Sequence, residues 1–256
     1  MSYQYLISLS SITNIIRETC LCIWEHLFPI VLPKCNTEDF KEIENDFSNK
    51  WNFPHCVGAI DGKHINIQVI LKLKVSSDNA GSEYYNYKEN HSIILLVMCD
   101  ANYIIRYVDI GTPGRQGDAN VFKNTSYDEN RMQCIENVFG ILASIWRLLR
   151  KSILANVSNA IKMIQAIICL HNWLRKYDIE RETDNYITID FVDQPIAEGD
   201  IQEGSWRINV KESAFMNINC TSRRTHFLHA AHIREEFCRF FNEEGEVGWQ
   251  NVQIYK

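Results

Sequence analysis

Residues 56–65, CVGAIDGKHI, set an aspartate directly behind a short apolar run and follow it with glycine, lysine and histidine. Strand character starts at Cys56. Beyond Asp61 the run alternates, with Ile65, Ile67 and Val69 on one face and His64, Asn66 and Gln68 on the other, the period of a strand with one buried side. A carboxylate at the mouth of such a strand has to be paired, solvated or bound to a metal, because an unpaired buried charge is costly. Taken alone, Asp61 also reads as a strand-end aspartate closing a turn before Gly62.

Working outward, SIILLVM at residues 92–98 is a continuous apolar run that fits a strand buried on both faces. Asp100, Ala101 and Asn102 form a tight turn into NYIIRYVDI, which gives three strands joined by local connections. A glycine-rich loop, GTPGRQGD, follows. From Arg131 the pattern turns helical: Ile135, Val138, Phe139, Leu142, Ile145, Trp146 and Leu149 make one apolar stripe. A further helix is predicted over about 156–177, with Ile161, Ile164, Ile168 and Leu174 inward. Before the strands, residues 6–31 read as a helix closed by Pro29 and Pro33, and Thr37–Lys50 as a second helix capped by Thr37. Residues 178–230 are polar and weakly periodic, an irregular or partly disordered arm, and HIREEFCRFFNEEG near the end is a short amphipathic helix.

Hydrophobic residues make up 46% of the 256, ample for a core. No run of about 18 apolar residues appears, so no membrane span is expected, and the first residues lack the basic start and cleavage site of a secretion signal. The nine cysteines are odd in number, form no C-x-x-C pair and lie largely in apolar runs, which fits reduced core thiols of a nuclear or cytosolic protein. The formal net charge of −6 excludes a global basic field, so any grip on DNA has to come from local patches or a partner.

The acids at element ends are the candidates for chemistry. Asp61 follows the first strand, Asp118 opens the segment after the glycine-rich loop, and Glu136 lies beside the apolar stripe of the long helix. Gly140 and Ala143 line the side of that helix below Glu136 and let a backbone approach closely. Three carboxylates converging at the mouth of a sheet would bind two divalent ions roughly 3.5–4 Å apart. Their hard oxygen ligands select Mg²⁺ or Mn²⁺. Asp118 reads equally as a helix N-cap, and Glu136 also as a solvated helix residue. Asp100 and Asp109 read as turn and strand-end residues, with Asp109 the reserve ligand. His171 in CLHNW reads as a buried hydrogen-bonding histidine. Arg147, Arg150 and Lys151 either favour the helix dipole or face phosphate.

WNFPHCVGAIDGKHI, GSEYYNYKENHSIILLVMCDANY, YVDIGTPGRQGDANVFKNT, IENVFGILASIWRLL, CLHNWL and IREEFCRFFNEEG run in one order along most of the chain. In these stretches the chain resembles the PIF/Harbinger-type transposases and the nucleases derived from them, DDE superfamily endonucleases with an RNase H-like fold. The resemblance implies an α/β fold, an RNase H-like mixed sheet flanked by helices, preceded by a helical N-terminal segment. It implies Asp61 as the first acid and Glu136 as the final glutamate of a catalytic metal site for Mg²⁺ or Mn²⁺, with Asp118 at the acidic position after the PG-rich loop. Lys63 and His64, which flank Asp61, become candidate phosphate contacts. The implied partners are DNA and a separately encoded Myb-like DNA-binding protein, with no membrane, and the implied compartment is the nucleus, with the cytoplasm as a second location.

The resemblance has a gap. Family members carry a further strand and a G-D-x-x-[YF]-like motif with another aspartate between the acid after the PG-rich loop and the glutamate helix. Here FKNTSYDENRMQCIEN, residues 122–137, bridges directly, which reads as an internal deletion. ILKLKV at 70–75 stands where the family has a Pro-containing turn, and LSSITNIIRETC at 9–20 is all that resembles a helix-turn-helix. The expected organisation is a helical, truncated segment over 1–50, an incomplete nuclease domain over 51–177 and a polar C-terminal arm with a short helix over 178–256. The expected function is a metal-dependent DNA endonuclease homologue of impaired activity. The alternative is a non-catalytic DNA- or protein-interaction module domesticated from a transposase.

Overall fold

The computed structural model describes residues 7–68, 91–113, 129–195, 201–209, 213–217 and 239, and of residues 113, 129–132, 195, 201 and 209 the backbone alone. Asp118, Val69, ILKLKV and the terminal stretch HIREEFCRFFNEEG (except Arg239) lie outside the described residues. The chain opens with helix α1 (Leu9–Val31), capped by the Ser8 hydroxyl, which accepts from Ser11 N at 3.1 Å. Pro29 does not end this helix. It sits in the last turn, and the chain stays helical to Val31 while Leu32 N donates to Phe28 O at 2.9 Å. Helix α2 (Thr37–Trp51) is capped one residue earlier than the sequence suggested. The Asn36 side chain accepts from Asp39 N at 3.0 Å and Asp39 returns the bond to Asn36 N at 2.8 Å, a reciprocal capping box that a threonine at 37 cannot make.

The strands are β1 (Ala59–Asn66), β2 (Ser92–Cys99), β3 (Ile105–Pro113) and, far along the chain, β6 (Phe215–Asn217), in the order β3-β2-β1-β6. Every residue from Ser92 to Val97 is buried, as the apolar run requires. The turn into β3 is built by Asp100, whose Oδ1 accepts from Asn102 N at 2.8 Å and Ile104 N at 3.0 Å while Arg106 pairs with Oδ2 at 2.8 Å.

The expected mixed sheet is not what the described strands form: all three ladders are antiparallel. The reason lies at the outer edge of β1, whose backbone groups need partners. β6 pairs antiparallel with Lys63–Ile65. Past it, Ile153 makes one parallel bridge to Ile67, with Ile153 N to Asn66 O at 2.9 Å and Gln68 N to Ile153 O at 2.9 Å.

Helix α3 (Glu129–Ile145) packs on β1 and β2, and α4 (Val157–Glu180) packs on β3 and α1. α3 stops earlier than the apolar stripe predicted. Trp146 is extended, and Arg147–Arg150 form a 3₁₀ turn that buries Leu149. Arg147 and Arg150 are therefore off the helix, and Arg150 donates to the Ser144 carbonyl. The stretch after α4 also differs from an irregular arm. It contains a 3₁₀ turn (Ile189–Phe191), a two-residue pairing of β4 (Gln194–Pro195) with β5 (Ile201–Gln202), and the short helix α5 (Trp206–Asn209) before β6. Ile187, Val192 and Ala214 join the main core. Buried acids hold this stretch where periodicity is lacking: Asp178 accepts from Thr183 Oγ1 at 3.0 Å and Tyr186 N at 2.7 Å. Among the described residues no helix is long and apolar enough to cross a membrane.

His171 sits in this core, fully buried on α4. Its Nε2–H donates to Tyr103 O at 2.9 Å, so Nδ1 accepts from the Tyr186 hydroxyl at 2.9 Å. Burial pushes the imidazole down to about 4; the nearby charge of Arg175 acts in the same direction, and the bond to Tyr103 opposes both. Above pH 6.5 neither the folded nor the unfolded chain carries the proton. As pH falls from 6.5 toward 4 the unfolded chain gains a proton that the fold refuses, which removes up to roughly 3 kcal/mol of stability. Thermal melts of wild type and His171→Gln from pH 7 to 4.5 should show the gap between them narrowing on acidification, because glutamine does not titrate. A gap constant with pH would contradict this account.

Candidate active site

Asp61 faces Val97 across the β1–β2 ladder, and Val97 faces Val108, so all three lie on one side of the sheet. Lys63 and Ile65 share that side by the two-residue period of the strand, and it is the side that α3 covers, since Lys63 Nζ lies 5.4 Å from the centre of the Phe139 ring. The Asp61 carboxylate accepts from Gly62 N at 2.8 Å through Oδ1 and pairs with Lys63 Nζ at 3.0 Å through Oδ2. The same ammonium donates to Asn217 Oδ1 of β6 at 2.7 Å. Lys63 is 14% exposed, so its charge is committed inside the fold and is not a free phosphate contact. His64 points to the other face, fully buried, with Nδ1 3.1 Å from Ser92 Oγ. The expectation that it flanks the carboxylate as a phosphate contact fails on strand alternation.

Asp109 pairs with Leu96 and so lies on the face opposite Asp61. It is exposed and accepts from Thr112 Oγ1 at 3.4 Å. That placement removes it as the reserve ligand. Asp118, the second expected acid, lies outside the described residues.

Glu136 stands on the exposed flank of α3, one turn before Phe139. Its Oε2 lies 3.8 Å from Arg207 Nη2 of α5. The small-residue seam below Glu136 is present but already filled. The indole of Trp206 lies where a Cβ on Gly140 would sit, and its Nε1–H donates to Asn137 Oδ1 at 2.9 Å. An apolar ring buries more surface against a glycine than a passing backbone does, and the N–H gains a partner.

Arg207 itself is held by Asp193, a fully buried carboxylate. Arg207 Nε donates to Oδ1 at 2.9 Å and Nη2 to Oδ2 at 2.6 Å, the two-pronged fit of guanidinium to carboxylate. The hydrogen bond to Asp193 raises the Arg207 pKa above its ordinary value; burial opposes it, and the charges of Asp193 and Glu136 add to the rise. Gly204 N completes Asp193 at 2.7 Å. A Cβ on Gly204 would meet Phe191 O, Val192 C and Asp193 N within 2.5–2.8 Å, so only glycine brings that amide close enough. Asn137, also fully buried, accepts from Asp193 N at 3.1 Å and donates to Asp193 O and the Tyr103 hydroxyl, each at 3.3 Å.

Asp61 and Glu136 are thus carried on packed neighbours, β1 and α3; Asp61 has Lys63 beside it, whereas Glu136 shares Arg207 with Asp193. Among the described residues no three His, Cys, Asp or Glu side chains come together to hold a metal ion. As described, the set does not fit a pair of divalent cations. Sequence reasoning missed Asp193, Trp206, Arg207 and Asn217. The one available signal was a lone Trp-Arg pair within a polar stretch, since an isolated tryptophan there usually has a surface to bury against.

A profile for the DDE superfamily endonucleases matches residues 60–133. That span covers β1, β2 and β3 and enters α3; it includes Asp61 and Asp118 and ends short of Glu136. No curated protein and no solved structure matches the chain. The chain is therefore an α/β protein whose described residues form a four-stranded antiparallel sheet, similar over residues 60–133 to the DDE superfamily endonucleases.

The Trp206 dock predicts a reversal of sign. Gly140→Ala in the wild type drives a methyl into the indole and should cost about 1–3 kcal/mol. In a Trp206→Ala background the same change meets space and should stabilise by up to about 1 kcal/mol, as alanine replacing glycine in a helix does. Urea denaturation of the four proteins measures this; equal effects in both backgrounds would mean that the indole does not occupy the seam.

Proposed function

We propose that this chain is a nuclease homologue derived from a PIF/Harbinger-type transposase, with Asp61 and Glu136 the remnants of its metal site and its phosphodiester chemistry impaired. The match to the DDE superfamily endonucleases over residues 60–133, with Asp61 on the first strand of the matched sheet, carries this reading. The impairment is supported by the bases at the two acids: Lys63 sits 3.0 Å from Asp61 and Arg207 3.8 Å from Glu136, positions that the ancestral chemistry gives to divalent ions. It is supported further by the edge of β1. There β6 and Ile153 supply the hydrogen bonds that a following strand with a further acid would make, in keeping with an internal deletion after the PG-rich loop.

The chain acts on DNA in the nucleus, with a Myb-like protein supplying much of the grip, because a net charge of −6 gives the chain no basic field of its own. The second reading, a non-catalytic DNA- or protein-interaction module, is favoured by the pairing of Glu136 with Arg207, which leaves the glutamate a structural partner.

A nicking assay on supercoiled DNA with Mn²⁺ separates the readings from a working enzyme. Little or no nicking is expected, and Asp61→Asn and Glu136→Gln should leave DNA binding unchanged or slightly tighter, because each removes negative charge near phosphate. Nicking that requires Mn²⁺ and disappears with either substitution would make the protein an active nuclease.

Calorimetric titration adds a second check. At most one weak Mn²⁺ site is expected in the wild type. Two tight sites lost together in Asp61→Ala would contradict the reading.

A further inference from the structure

We propose that the 3₁₀ turn Arg147–Arg150, with Lys151 and the first turn of α4, forms a surface that binds the phosphate backbone of duplex DNA. The inference rests on the reading that the chain acts on DNA, and it names the face that does the holding. The net charge of −6 hides a separation of signs. No Asp or Glu stands between Glu136 and Asp178, whereas Arg147, Arg150, Lys151, Lys162, Arg175 and Lys176 all do. Residues 137–177 therefore carry a charge of +6, which leaves −12 for the rest of the chain.

Several bases elsewhere are matched: Lys50 lies by Asp46, Lys63 by Asp61, Arg106 by Asp100 and Arg207 by Asp193. Among the described residues no carboxylate pairs with Arg147, Arg150 or Lys151. Leu149 is the inward residue of the turn, so Arg147 and Arg150, three apart and eclipsed, share one outer side of it. The attraction of bases to a helix C-terminus accounts for Arg150, which donates to the Ser144 carbonyl at the end of α3. It does not account for Arg147 and Lys151, which are exposed and make no such bond among the described residues. Helix α4 adds to the same field. Helix α2 sets Glu38 and Asp39 against the positive end of its dipole, whereas α4 has no acid in its first turn and leaves that end uncancelled.

The surface lies along the same edge of the sheet as the two acids. Leu149 O accepts from Ala214 N at 2.8 Å, next to β6, and Ile153 bridges to Ile67 just past the end of β1. From Asp61 to Asn66 the strand runs about 17 Å, the length of roughly five base pairs of duplex. The turn also continues directly from α3, the helix of Glu136. A duplex held by its phosphates on this turn can extend past both acids. An acidic peptide or a lipid headgroup would meet the same charges, but the position next to Asp61 and Glu136 favours DNA.

The test titrates a labelled random-sequence duplex with the full chain, followed by fluorescence anisotropy, in NaCl from about 50 to 200 mM. Arg147→Gln/Lys151→Gln should bind at least about tenfold more weakly, and its plot of log affinity against log salt should be flatter by about 1.8, since each phosphate contact contributes about 0.9. Both positions are exposed, so circular dichroism should report an unchanged fold. Lys34→Gln/Lys41→Gln removes the same charge from exposed positions on and before α2, which packs by the β2–β3 turn at the other end of the sheet, and should keep the wild-type slope. A duplex bound alike by wild type and Arg147→Gln/Lys151→Gln, or equal weakening in the control, would overturn the proposal and leave the DNA reading standing. A wild type that binds no duplex at any salt would overturn both. Loss of binding to phosphatidylserine vesicles in Arg147→Gln/Lys151→Gln, with DNA binding unchanged, would mark a lipid surface and overturn it too.

Discussion

The buried carboxylate of Asp193 governs the geometry around the candidate site. A fully buried anion has to be matched, and it is matched by the two-pronged guanidinium of Arg207 and by the Gly204 amide at 2.7 Å. Those two bonds close residues 193–207 on themselves, and Asn137 of α3 holds that segment down by accepting from Asp193 N at 3.1 Å. With them comes Trp206, which fits only because position 140 is glycine and which hands its N–H to Asn137. Arg207 is thereby set 3.8 Å from Glu136 by forces that have nothing to do with Glu136 itself. A half-exposed ion pair of that length contributes little to stability, whereas the buried pair beneath it is costly to break from one side.

Lys63 plays the matching part on the sheet. Its ammonium joins Asp61 of β1, Asn217 of β6 and the Phe139 ring of α3. The short strand β6 is fixed to β1 through side chains as well as backbone. The two acids that would share metal ions are therefore each held beside a cation of the chain's own, one of them a guanidinium shared with Asp193.

How far the sequence could be read follows from what holds each part. β2 was legible because every position from Ile93 to Cys99 is apolar after Ser92, α1 and α4 because their inward-facing residues recur at helical spacing, and α2 from its capping end and first-turn acids. The turn from β2 into β3 was legible at Asp100, whereas the antiparallel pairing of all the described ladders was not, since a mixed sheet was expected. The end of α3 was not, since Trp146 and Leu149 keep the stripe's spacing although the backbone has already left the helix. β6 is three residues long and carries no pattern of its own; its pairing is fixed by the vacant edge of β1. Asp61 and Glu136 were singled out as acids at element ends, whereas Asp61 lies inside β1 and Glu136 inside α3. Their partners divide by distance: Lys63 is two residues from Asp61 and visible at once, whereas Arg207 reaches Glu136 only through the fold around Asp193. His64 and Asp109 show the limit of reading neighbours in sequence as neighbours in space, because strand alternation puts both on the far side of the sheet from Asp61.

The central claim is that the chain's own cations occupy Asp61 and Glu136, and anomalous diffraction from crystals soaked in Mn²⁺ tests it most directly. The account predicts no manganese peak at either carboxylate, with Lys63 still on Asp61 and Arg207 still bridging Asp193 and Glu136. Manganese bound between Asp61 and Glu136, with Lys63 and Arg207 displaced, would contradict it.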